Sequence, residues 1–195
     1  MRDHPFITLI GCTKESRIEA TQIPVLIEEK DGKIFIYGHV ARKSDHEKAL
    51  EQNPNVLALF TGEHVYVSGS WYSGNPRQAS TWNYISVHAR GAIKFLDEGG
   101  LAELLRKLSL HFENNNHESS TVFDNLPFDY REKLMKAIVA FELEVTEIDN
   151  VHKLSQNRDE KSYRTIREKL EKGGGDARII AERMRQNESH LFKKK

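Results

Sequence analysis

Gly38-His39-Val40-Ala41-Arg42-Lys43-Ser44-Asp45-His46 is the stretch from which the rest of the chain is read. Upstream of it, Lys33 to Val40 alternates, with Ile34 and Ile36 on one face and Phe35 and Tyr37 on the other, which is the period of a strand. Downstream, Ser44 followed three residues later by Glu47 has the capping-box pattern and predicts a helix from about Asp45 to Gln52, stopped by Asn53-Pro54-Asn55. A strand that turns into a helix presents unpaired backbone N–H groups and a positive dipole end, and Arg42 with Lys43 adds two charges at the same place. That combination suits a phosphate, although a lone Arg-Lys pair is more often a solvated surface pair.

Working outward, Phe6 to Thr13 is a short apolar run. Ile18 to Ile27 alternates so that Ile23, Val25 and Ile27 share a face, and both runs read as strands. Pro24 cannot donate to a ladder, so it belongs at a sheet edge or bulge, where a ligand can take the place of a neighbouring strand. Asp31-Gly32 supplies the hairpin turn into Lys33. Val56 to Phe60 and His64 to Val67 read as two strands split by Thr61-Gly62-Glu63. Ser68 to Ser80, with Trp71 and Tyr72, reads as a loop, and Thr81 to Leu96 as a long strand. Short strands joined by tight turns around one short helix predict an antiparallel barrel, not a βαβ sheet.

Beyond Asp97 the period changes. Leu101, Leu104, Leu105, Leu108 and Phe112 share a helical face, Glu113 to Thr121 is polar, and Asp129 to Ile138 is a second helix. Val139 to Ile148 returns to strand alternation, Lys153 to Arg158 is a polar loop, and two tail helices, about Glu160 to Glu171 and Asp176 to Asn187, flank Gly173-Gly174-Gly175. The fold class is therefore α+β, mainly antiparallel β, with a barrel over 1–158 and a helical extension over 159–195.

Twenty-nine Lys plus Arg balance 29 Asp plus Glu, which leaves no global field to draw the chain onto nucleic acid or an anionic membrane. The single cysteine, Cys12, excludes an intrachain disulfide and, with no apolar run of membrane length and no signal-peptide pattern at the start, leads to the expectation of a cytoplasmic protein. The glycine triplet is not a phosphate loop, no Gly-x-Gly-x-x-Gly follows a strand, and Ser70 lacks the far glycine of a nucleophile elbow. None of the nine histidines forms a close pair of zinc-site spacing, so no metal is expected.

Two further clusters carry chemistry. Thr81-Trp82-Asn83-Tyr84 puts aromatic walls and amide groups at one strand start, as a planar heteroaromatic ligand requires; the plainer reading is a barrel end plugged by aromatics. Lys153-Leu154-Ser155-Gln156-Asn157-Arg158 is a polar cluster at a strand exit.

Taken in order, these clusters resemble the PaiB-like family of FMN-binding negative transcriptional regulators. The family's motifs stand here as Ala20-Thr21-Gln22-Ile23-Pro24, Gly38 to Arg42, Tyr66 to Tyr72, Thr81 to His88 and Lys153 to Arg158. The resemblance implies a split barrel of the pyridoxamine-phosphate-oxidase-like type, a homodimer with FMN sites at the subunit interface. It implies that Arg42 and Lys43 hold the phosphate, and that backbone groups around Thr21, Gln22 and Ile23 meet the flavin ring. It marks His39, Trp82, Asn83, Tyr84, Lys153, Gln156 and Asn157 as further cofactor-binding positions. The chain departs from the family where Lys43-Ser44-Asp45-His46 replaces the commoner Ala-Asn-Pro-x-Trp, and in starting close to its first strand, where relatives have an N-terminal helix.

Two other functions compete with a flavin-binding regulator. One is a flavin-dependent oxidoreductase of the same superfamily, in which the cofactor carries the redox chemistry and no triad is needed. The other is direct DNA binding by the tail, where 159–195 holds eleven Lys/Arg against seven Asp/Glu. Helix-turn-helix readers generally need a third helix to complete a core, so Tyr163, Ile166, Leu170, Ile179, Ile180 and Met184 are expected to pack the pair against the barrel or a partner instead.

Overall fold

The structure, a computed structural model, describes residues 1–74 and 77–192. In chain order the elements are β1 (Phe6–Cys12), β2 (Ile18–Pro24), β3 (Leu26–Lys30), β4 (Lys33–Ala41), α1 (Asp45–Gln52), β5 (Asn55–Val67), β6 (Thr81–Phe95), α2 (Glu98–Phe112), α3 (Phe128–Ala137), β7 (Ile138–Lys153), α4 (Glu160–Glu171) and α5 (Asp176–Leu191). The strands form a seven-stranded sheet in the order β2-β1-β5-β6-β7-β4-β3. β1 pairs antiparallel with β2 and β5, and β4 with β3 and β7.

β2 and β3 stand at opposite ends of that order, yet only Val25 separates them in the chain. A sheet whose two outer strands are joined by one residue has to curl until its ends meet, which is the origin of the barrel. The expected continuous strand from Ile18 to Ile27 is thus two strands. Pro24 has no N–H to donate, and the Val25 N–H goes to the Pro5 carbonyl at 2.8 Å, one step beyond the last β1–β2 pair,. The Thr61-Gly62-Glu63 break expected in the next segment does not occur. β5 runs unbroken through all 13 residues, because one glycine is tolerated in a strand that has β6 alongside it there,. β7 likewise continues past Ile148 to Lys153.

The chain gathers into two compact units. One comprises Met1–Phe60 with His88–Asp149, the other Thr61–Val87 with Asn150–Lys195. In the first, Ile7, Leu9, Ile36, Phe141 and Leu143 are among the fully buried side chains. α2 is seated there through Leu101 and Leu104 against Ala140 and Leu26. Asp97 starts α2 by accepting from the Gly100 N–H at 2.8 Å,.

In the second unit α4 and α5 form a helical pair on the strand residues. Tyr163, Ile166, Leu170, Ile180, Ala181 and Met184 close around Val67 and Leu154 in one cluster. The Tyr163 hydroxyl donates to the Met184 carbonyl at 2.8 Å, and burial pushes its pKa up to about 12. Ile179, expected in that core, faces outward at 42% exposure. Asp159 caps α4, accepting from Ser162 N at 2.9 Å and Ser162 Oγ at 2.6 Å. Three arginines of the pair are laced to acids: Arg164 to Glu160 and Glu188, Arg167 to Glu171 and Glu188, Arg185 to Glu171 and Glu182.

Candidate functional site

Six of the sequence-predicted positions, Thr21, Gln22, Ile23, His39, Arg42 and Lys43, fall in the first compact unit, and six, Trp82, Asn83, Tyr84, Lys153, Gln156 and Asn157, in the second.

In the first unit the β2 positions alternate as a half-buried edge strand does. Ile23 is buried, Thr21 half-buried with its side chain turned inward, and Gln22 exposed,. Since β2 ends the sheet order, no further strand is hydrogen-bonded along its outer backbone edge in that order. β4 then delivers His39, half-buried, and the turn after it delivers Arg42 and Lys43, both exposed. The Arg42 backbone N–H reaches the Ala137 carbonyl at 2.8 Å, and Nη2 donates to the Ile138 carbonyl at 2.8 Å, so the guanidinium is held by one edge against the junction of α3 and β7. Lys43 sits at φ 63°, the left-handed region that a tight turn demands.

The N-terminus of α1 is satisfied from within. Ser44 Oγ accepts from Glu47 N at 3.1 Å, and the Glu47 carboxylate accepts from the Lys43 N–H. A carboxylate therefore occupies the place at which the helix dipole would favour an anion. What this junction has left for a phosphate is side-chain charge. Neither Arg42 nor Lys43 enters an ion pair among the described residues, and a guanidinium with one N–H committed keeps a fork of donors for phosphate oxygens.

Two imidazole nitrogens in this unit, His39 Nδ1 and His46 Nε2, are buried without a hydrogen-bond partner. Burial lowers the pKa of both rings, so both are neutral at physiological pH. Orphaned polar atoms of this kind mark places where a ligand group can complete the bonding. His39 Nδ1 lies on the strand that leads to Arg42, so the set fits a polar, phosphorylated ligand.

The second unit separates the expected positions into exposed and structural ones. Trp82 is 51% exposed and meets the Tyr66 ring edge-on at 6.0 Å and the His64 ring at 6.2 Å. Lys153 Nζ donates to Thr81 Oγ1 at 2.8 Å and lies 5.9 Å from the centre of the Tyr84 ring. These residues form an aromatic surface with one cation on it, able to stack a planar ring. Asn83, by contrast, is wholly buried, accepts from Ser155 Oγ at 2.9 Å and points its amide at Met184 Sδ. Gln156 uses both ends of its amide on the backbone of His152 and Leu154. In this structure Asn83 and Gln156 shape the loop, and Asn157 is exposed beside them.

Reading residues by type missed Ser155 and Thr81 as partners of Asn83 and Lys153, and His46 as a partner of Thr21. A hydroxyl carries no sequence signal of the group it will meet, although the tight turn in Lys153 to Arg158 was visible as a polar run. No group of three or more His, Cys, Asp or Glu able to hold a metal ion occurs among the described residues, and no described helix is long and apolar enough to cross a membrane.

Comparison with known proteins agrees with this geometry. Residues 1–147 match the family described as "Putative FMN-binding domain". The chain is 33% identical over 171 residues to the Protease synthase and sporulation protein PAI 2 of Bacillus subtilis (strain 168), covering 88% of this chain and 81% of that protein. Among solved structures, the flavocytochrome Anf3 from Azotobacter vinelandii superposes with a TM-score of 0.54 at 20% identity, over 77% of this chain and 63% of that one. The FAD and heme binding protein from Mycobacterium smegmatis gives 0.53 at 15% identity, over 77% and 67%. At those identities the structural likeness speaks for the split-barrel fold alone. The family match and the Bacillus relative go further: this chain belongs to the PaiB-like family of flavin-binding proteins.

Proposed function

We propose that this protein binds FMN as a homodimer and acts as a PaiB-type negative transcriptional regulator. The observation that carries the FMN reading is Arg42: an exposed guanidinium, fixed by the Ile138 carbonyl at 2.8 Å, in no ion pair among the described residues and set beside Lys43. Such a group recognises a terminal phosphate and thereby separates FMN from unphosphorylated flavins. The open edge of β2 at Thr21-Gln22-Ile23 meets the flavin ring through backbone N–H and C=O groups, and His39 adds a buried polar atom. When bound, FMN supplies one- or two-electron redox chemistry at its ring system. The chain's part is to hold the phosphate, orient the ring and exclude water from it.

The homodimer is supported by a groove of about 490 Å³ in the first compact unit, floored by Ile10, Cys12, Leu57 and Ala92 and edged by Ile18. Ile18 is 72% exposed, and an apolar groove of this kind suits burial against another copy. In that dimer Trp82, Tyr84 and Lys153 of the other copy supply the aromatic wall. The regulatory role rests on the resemblance to the PaiB-like negative regulators alone, and in this reading the tail works as a packed helix pair, not as a DNA reader. An absorbance spectrum of the purified protein with and without added FMN tests the cofactor. Sedimentation in the presence of FMN tests the dimer, and a monomer at micromolar concentration is the result against it.

A further inference from the structure

α1 packs against β1, β2 and β4, and the imidazole on that helix, His46, is only 4% exposed. Its ring lies over Gly11 of β1. A Cβ there would stand 3.3 Å from His46 Nε2 and 3.0 Å from Leu50 Cδ2, so the ring is packed closely onto the glycine. On the other side, His46 Nδ1 is 2.7 Å from Thr21 Oγ1 on the edge strand β2, whereas Nε2 meets no polar atom.

The two neutral tautomers are unequal. A proton on Nε2 strands a buried N–H without an acceptor. A proton on Nδ1 lets the ring donate to Thr21 and leaves only a lone pair facing Gly11 and Leu50, the cheaper arrangement. A second proton has nowhere to go, because Nε2–H⁺ would be a cation with no acceptor.

The charged groups around the ring do little to compensate. β2 brings Glu19, which favours the cation but is engaged by Arg17 at 2.8 Å. β1 brings Cys12, whose Sγ accepts from Asn53. β4 brings His39, itself kept neutral by burial, with Lys33 and Tyr37 tied to Glu144 and Glu142. On α1, Glu47 is spent on the Lys43 backbone, Asp45 pairs with Lys48 and Arg17, and Glu51 is exposed.

We propose that His46 is a positioning residue for the edge strand. As a neutral imidazole it pins Thr21, and with it the Thr21-Gln22-Ile23 backbone; on protonation it releases that edge, which makes cofactor binding acid-labile. The strand-locking half stands on the hydrogen bond and burial alone, and the cofactor half rests on the FMN reading.

The test uses the full chain, His46→Asn, whose amide N–H replaces the Nδ1 donor and does not titrate, and Thr21→Val. Amide hydrogen exchange over 18–24, corrected for intrinsic rates, is measured at pH 7.5 and 5.5 together with the Kd for FMN. An opened imidazole regains a pKa of about 6.5 while burial holds the closed one lower, so proton uptake raises the open population by up to about tenfold between those two pH values. The wild type is expected to lose up to about tenfold in exchange protection and to lose FMN affinity in proportion to the closed population lost, His46→Asn to hold both, and Thr21→Val to show low protection at either pH. An equal acid response in His46→Asn and wild type overturns the proposal. If the wild type takes no FMN at pH 7.5, the FMN reading fails, and hydrogen exchange alone decides the role of His46.

Discussion

Ser155 Oγ donates to Asn83 Oδ1 across 2.9 Å, with both residues buried. Ser155 stands at φ 62°, so the turn after β7 is wound tightly to place that hydroxyl. Two residues 72 positions apart are thereby committed to each other inside the second compact unit, and Asn83 contributes to its fold before it contributes to any ligand.

Ser155→Ala leaves the Asn83 carbonyl oxygen buried without its donor, a loss of about 1–3 kcal/mol. Thermal unfolding should shift down accordingly. The Asn83→Ala, Ser155→Ala double variant should lose less than the sum of the two single losses, as expected for one shared interaction.

The Arg42 assignment predicts a contrast between ligands. Arg42→Ala should weaken FMN about ten- to a hundredfold, from one charge-assisted bond of about 1.5–3 kcal/mol, while hardly affecting riboflavin, which has no phosphate. Lys43→Ala should cost less, since no hydrogen bond or ion pair among the described residues fixes its ammonium. Titrating both flavins against wild type and variants separates phosphate recognition from misfolding, because misfolding lowers both affinities alike.

Gly91 of β6 passes so close to β7 that a Cβ on it would lie 1.9 Å from the Glu144 carbonyl oxygen. Backbone cannot yield as a flexible side chain can. Gly91→Ala should therefore fall in the severe class, about 4 kcal/mol or more, and yield little folded protein. Gly174→Ala, with nothing within 4 Å of the added methyl, is the matched control and should express normally.

Hydrogen bonds from Ser162 hold the Asp159 carboxyl down at about 2. The folded-state pKa lies below the unfolded value of about 3.9, so the stabilisation from this cap is complete above pH 4 and is lost as the pH falls towards 2. Acid titration of stability should show that loss in the wild type. In Asp159→Asn, which can still cap but cannot titrate, the curve should be flatter between pH 4 and 2.

Deleting 159–195 uncovers Val67 and Leu154, both fully buried by the helical pair. The truncated chain should aggregate or expose hydrophobic surface to a dye. A truncated chain that stayed folded and dimeric would contradict the packing role of α4 and α5.

Much of this was legible in the residues. A short apolar run placed β1, alternation placed β4 and the first part of β7, and the Ser44–Glu47 spacing located the start of α1 where it occurs. The heptad-like leucines placed α2, and the apolar stripe of the tail anticipated the cluster around Tyr163 and Ile166. What sequence could not convey is where a side chain spends its hydrogen bonds. Asn83 and Gln156 carry amides suited to a flavin edge, yet both are used internally, and a pattern of residue types cannot distinguish the two uses. The Pro24 break and the uninterrupted β5 depend on which neighbours a strand acquires, which is settled only when the sheet closes. Glu47 in the capping box was foreseen as a helix signal. That its carboxylate would also fill the anion position at α1 was a consequence of the same pattern that the Arg42-Lys43 pair obscured.

The ion-pair lacing of α4 and α5 bears on how the tail would behave beside a polyanion. Of its surplus of four positive charges, three belong to Lys193, Lys194 and Lys195. Arg164, Arg167 and Arg185 are already matched to glutamates on the helical pair. A cation neutralised in this way has few condensed counterions to displace when it meets a phosphate chain, and counterion release gives nucleic-acid affinity its steep dependence on salt. Those three arginines therefore bring little polyelectrolyte driving force of their own, and any salt-dependent affinity of the tail for DNA should come from its other cations, Lys193, Lys194 and Lys195 among them,.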